Sequence, residues 1–93
     1  MTEDTMPEGF YYRADDDTMP HRKLVRFHYE GRPQGFTDDD EAAARLAAHI
    51  QLWRAARHYE ADMVVFFRET IGLDPGHRAR TLCVITGILA KTI

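Results

Sequence analysis

Cysteine occurs once in the 93 residues, at Cys83. A single thiol excludes an internal disulfide framework and a thiolate cage for zinc built from one chain. Lysine is scarce as well, with Lys23 and Lys91 against ten arginines. Together with abundant alanine, this bias hints at GC-rich coding, as in actinobacteria or their phages. Long hydrophobic runs are missing. The longest near the C-terminal end, LCVITGILA, is about half the roughly 20 residues that a membrane-spanning helix needs. The opening MTEDTMPEG is acidic and has no basic stretch followed by an apolar core, so no secretory leader is expected and a cytoplasmic location is. Chemical signatures are lacking too. There is no HExxH, and GRPQG places proline where a phosphate cradle needs backbone donors. The acidic triplets Asp15 to Asp17 and Asp38 to Asp40 lack the alternating ligands, glycine and terminal glutamate of a calcium loop. No cofactor is expected.

What remains is the composition of a small globular protein, 44% hydrophobic and 29% charged. At this size a single domain buries only about 60 to 65% of its unfolded surface, so the stability margin is thin. The net charge is −3, laid out in alternating blocks. Residues 1–19 are acidic, residues 20–37 carry Arg22, Lys23, Arg26 and Arg32 against Glu30, and residues 38–74 turn acidic again. Such mixing favours internal pairing over a single field able to steer nucleic acid.

Residues 1–9, with Pro7 and Gly9, read as a flexible tail preceding one α+β domain over 10–93. In the β element, 10–36, FYYR is aromatic, and LVRFHYE alternates Val25, Phe27 and Tyr29 with Arg26, His28 and Glu30, so a short antiparallel hairpin is predicted. From Thr37 to Ile71 neither glycine nor proline interrupts. With Thr37 as cap and acids in the first turn, a long helix over 38–71 is expected. Gly72 then serves as its stop, and Asp74 and Pro75 open a second helix over 75–91, completing a helical hairpin.

Five consecutive apolar residues, Met63 to Phe67, go all the way round such a helix, which at about 1.5 Å per residue would be about 50 Å long. One hairpin partner and a small β layer cannot cover that rod. A homodimer through the long helix is therefore expected, with Leu52, Ala56, Tyr59, Met63 and Phe66 as its seam.

Trp53, Arg54 and Arg57, with Tyr11, Arg26 and His28 from the β element, form the candidate partner-binding surface, because tryptophan, tyrosine and arginine dominate contact hot spots. The expected function is that of a small non-enzymatic adaptor or regulator that binds another protein, for instance a phage protein acting on a host component. Two alternatives remain. MPHRKLVRFHYEG followed by a helix resembles the start of ribbon-helix-helix repressors, which implies paired basic strands entering the DNA major groove. The four acids opening the following helix and the negative net charge oppose phosphate there, so nucleic acid is not the expected partner. His58 and Asp62, four apart, have the spacing of a metal or general-base pair, without a third ligand at helical spacing.

Overall fold

The computed structural model describes residues 4–34 and 37–93. Residues 1–3 of the expected tail, and Gly35 and Phe36 at the end of the expected β element, lie outside them. The elements are β1 (Tyr11–Tyr12), β2 (His21–Gly31), α1 (Glu41–Tyr59), β3 (Met63–Asp74) and β4 (His77–Thr92). They build one four-stranded sheet in the order β1-β3-β4-β2. β4 is antiparallel to both of its neighbours, and β1 runs parallel to β3. The single helix packs on one face, against β2 and β4. Overall extents of 43 × 29 × 16 Å fit one helix layer on one sheet. No helix among the described residues is long and apolar enough to cross a membrane.

This corrects the expected helical hairpin in four places. First, α1 ends at Tyr59, not Ile71, because Glu60 adopts the left-handed conformation (φ 57°) and its N–H turns back to the carbonyls of Ala56 and Arg57. A glutamate occupies the stop position usually held by glycine, so the absence of breakers did not mean continuity.

Second, the run from Met63 opens β3. Met63, Val64 and Val65 are buried because β3 lies inside the sheet and is covered on both faces, which turns strand alternation into a continuous apolar run. Third, residues 77–92 form β4 and not a second helix. Cys83, Ile85 and Leu89 face α1, while Ile88 and Ala90 face the other way. Pro75 and Gly76 make a two-residue turn closed by the Asp74 carboxylate, which accepts the Gly76 N–H at 2.9 Å. Fourth, β1 and β2 do not pair with each other but lie at opposite edges of the sheet.

The helix start was expected at about the right place, though Asp40 and not Thr37 is the cap, accepting the Ala43 N–H at 3.0 Å. Its buried stripe is Ala44, Ala48, Leu52 and Ala56. Three of these four are alanine, which lets the helix backbone descend onto β2. A Cβ on Gly31 would fall on the Ala44 carbonyl and the Ala48 amide, so the last residue of β2 has to be glycine.

The dimer seam through the long helix is thereby removed. Leu52, Ala56 and Met63 have no exposed surface, being enclosed by the chain's own sheet and helix. Tyr59 at the helix end and Phe66 on β3 are exposed, on different elements. The architecture implied by the repressor resemblance is also absent: β2 is bound along its length to β4, and the chain after α1 is a β-hairpin.

Candidate functional site

The face of the sheet away from α1 is incompletely covered. At one end the chain from Arg13 to Pro20 is tied along it. The Phe66 N–H reaches the Asp15 carbonyl, the Ile93 N–H reaches that of Pro20, and Tyr11 donates its hydroxyl proton to Asp17 at 2.5 Å. Beneath Tyr11, Met63, Val65 and Ala90 form a small second core. Beyond it the face opens. Strand register places His28, Thr86 and Arg68 side by side across β2, β4 and β3, flanked by the rows Arg26, Ile88, Val65 and Glu30, Val84, Thr70. Arg26, His28, Phe66, Arg68, Thr86 and Ile88 line a shallow depression there.

Phe66 is present because of a bulge. Val65 pairs with Ile88 and Arg68 with Thr86, so Phe66 and Phe67 together oppose the single residue Gly87. The extra residue lets Phe67 return to the helix side, where its ring meets Tyr12 and His49. Phe66 is turned out onto the open face at φ 55° and is 42% exposed. A large aromatic in the left-handed region is an outlier that costs about 1–3 kcal/mol. Gly87 makes room opposite, since a Cβ there would meet Val64, Phe27 and the Val65 carbonyl.

Charge on this face is unbalanced, although the chain is acidic as a whole. The neighbouring acids are engaged: Asp15 with Arg13, Asp16 with His21 and Lys23, Asp17 with Tyr11 and the Met19 N–H. Glu30 is held below its usual range by hydrogen bonds from His28 first and Arg32 second. The Arg26 and Arg68 side chains have no hydrogen bond or ion pair among the described residues.

A second polar cluster lies between α1 and the sheet. Trp53 Nε1–H donates to the Tyr12 hydroxyl oxygen at 2.9 Å, and that hydroxyl meets His49 Nδ1 at 2.9 Å. His49 Nε2 meets Glu69 at 2.8 Å, and Arg45 closes the chain at 3.2 Å from the same carboxylate. With the His49 proton on Nε2, every donor has an acceptor. The Cys83 thiol also points at Glu69, 3.8 Å away. Burial, and secondarily the Glu69 charge, push that thiol up to about 11, so it stays protonated at neutral pH. The cluster ties β1, α1, β3 and β4 together, and the side chains of His49 and Glu69 are only 15% and 23% exposed.

The structure divides the candidate surface expected from sequence. Tyr11, Arg26 and His28 lie on the open face. Trp53, Arg54 and Arg57 lie on the helix, where Trp53 belongs to the polar cluster and Arg54 pairs with Asp4 of the N-terminal segment at 2.6 Å. His58 and Asp62 are not a helical pair. His58 sits edge-on to Tyr59, and Asp62 accepts from the N–H and hydroxyl of Thr92. No group of three potential metal ligands converges among the described residues.

Sequence reasoning missed Arg68 on the open face and the role of His49 and Glu69. The doubled Phe66-Phe67 after a valine pair is the one local signal of a bulge that could have found the first. The chain matches no known protein family, no curated protein and no solved structure.

Proposed function

We propose that the chain is a non-enzymatic binding module that docks an acidic, partly apolar segment of another protein on the open face of its sheet. The observation that carries the reading is Phe66, held exposed in a costly backbone conformation beside the unpaired Arg68, with His28 across Thr86 and Arg26 at the rim. Strain of this kind persists where a site requires it, and aromatic and arginine side chains supply most contact energy. An exposed ring and unpaired guanidinium groups would be satisfied by a partner offering carboxylates around an apolar side chain. A single-stranded nucleic acid fits less well. It needs a row of cations following successive phosphates, whereas Glu30 and Asp15 to Asp17 interrupt the positive surface.

The test is a titration of 15N-labelled protein with a synthetic peptide rich in glutamate and leucine, and separately with oligo-dT. Saturable shifts at Arg26, His28, Phe66, Arg68 and Thr86 are expected with the peptide, and their loss in Arg68→Glu. Shifts confined to other surfaces, or tighter binding of the oligonucleotide, would replace this reading.

A further inference from the structure

We infer that the free edge of β2 pairs with the same strand of a second copy of this chain, antiparallel about a two-fold axis at His28, joining two sheets into one of eight strands. β2 is the last strand in the order β1-β3-β4-β2 and is 11 residues long. Its one irregularity lies near its start, between Lys23 and Val25. From Val25 to Gly31 it is regular and free of proline, without the short length or the kinks that usually protect an edge.

The hydrogen-bonding phase of that edge follows from the opposite side of the sheet. The Phe67 N–H bonds to Arg13 on the β1 side. Backbone groups alternate along a strand, so Arg68 turns to β4, Thr86 to β3, Ile85 to β2 and Tyr29 to β4. Arg26, His28 and Glu30 are then the residues whose N–H and C=O groups point out of the sheet. The Glu30 carbonyl agrees with this phase, since it is free to accept the Gln51 side chain at 2.7 Å. A carbonyl oxygen accepts two hydrogen bonds, so that contact and a new ladder bond coexist.

The side chains select the register. Centring the pair on His28 puts Arg26 opposite the partner's Glu30, and Glu30 opposite the partner's Arg26, on the open face. Phe27 meets the partner's Tyr29 on the helix face, where Phe27 and Tyr29 are already stacked within the chain at 5.5 Å. Opposite charges and aromatics directly across are the favourable cross-strand pairs. Centring on Arg26 instead places two arginines together, and centring on Phe27 places Arg26 against histidine.

In the favoured arrangement both helices lie on the same side. Each brings the groove between α1 and the end of β2, lined by Gly31, Ala43, Leu46, Ala47 and Ile50, toward the new seam. Leu46 is half exposed there. Phe66 and Arg68 are on β3, separated from the joined edge by β4, so the residues that carry the docking reading lie outside the join, while Arg26 and His28 at its rim are shared with it.

Sedimentation velocity on the full chain tests the join. The unaltered chain should sediment as a dimer, and Arg26→Glu and Glu30→Arg should each shift it to monomer. The double variant carrying both changes should recover the dimer, because the ion pairs re-form with reversed sign. His28→Pro should also give a monomer that keeps its circular dichroism spectrum, since it deletes an outward N–H and no bond to β4. Amide spectra of each variant separate loss of association from loss of fold. A chain monomeric at every concentration, a dimer indifferent to the single charge changes, or a double variant that stays monomeric overturns the register and the inference with it.

Discussion

Phe66 concentrates the backbone strain of the sheet at one position. Glycine is normally worse than alanine within a strand, but at φ 55° the order should reverse, because alanine keeps the left-handed penalty that glycine escapes. Phe66→Gly should therefore be more stable than Phe66→Ala by about 1 kcal/mol in urea unfolding, while both lose binding at the open face. Equal stabilities would mean that the residue is not held in that conformation. Gly31 sets the opposite constraint. A methyl group there collides with the Ala44 and Ala48 backbone, and nothing flexible stands in the way to yield. Gly31→Ala should cost about 2–3 kcal/mol, read as a lower urea midpoint.

At the scale of elements, the helix is bounded by two residues that sequence reasoning weighed differently. Asp40 caps its start, and Asp40→Ala should cost about 1 kcal/mol. Glu60 ends it in a conformation that glycine adopts freely. Glu60→Gly should add about 1 kcal/mol by removing the left-handed penalty, since its exposed contact with Lys91 at 3.7 Å contributes little. Thermal unfolding by circular dichroism checks both.

The alternation of Val25, Phe27 and Tyr29 made β2 readable because β2 is an edge strand with one face covered. The same rule hid β3 and β4. Strands inside the sheet lose their polar phase, and Met63 to Phe67 then reads like a helix apolar all round. The missing breaker between Tyr59 and Met63 completed the error, for the chain stops its helix with a glutamate. Of the residues on the open face, Arg26 and His28 were legible from that alternation, and Tyr11 from the aromatic FYYR. Phe66 was singled out, but for a helical seam that does not exist. Arg68 and the His49–Glu69 pair depend on contacts between distant segments, which local periodicity does not encode.

For the whole molecule, acid sensitivity centres on the β3–β4 turn. Asp74 is almost enclosed, and its carboxyl is held below the usual range by Arg32 first, at 2.7 Å, and then by the Gly76 N–H. A group with a lowered folded pKa contributes stability above its unfolded value of about 3.9, and that contribution is lost as pH falls through the folded value. The melting temperature should hold above about pH 5 and fall on acidification below about pH 4. Asp74→Asn should lower it at neutral pH and flatten that fall. Because Arg32 follows β2 directly, this one pair links the far edge of the sheet to the hairpin turn.

β4 lies between β2 and β3, beneath α1, and comes after all three in the chain. While the polypeptide is still leaving the ribosome, β2 has no strand to pair with and β3 has only the two-residue β1. Their apolar sides wait in solution until the last of them arrives. Nascent chains arrested before Thr81 should remain as protease-sensitive as unfolded ones, and resistance should appear abruptly once Ala90 clears the exit tunnel.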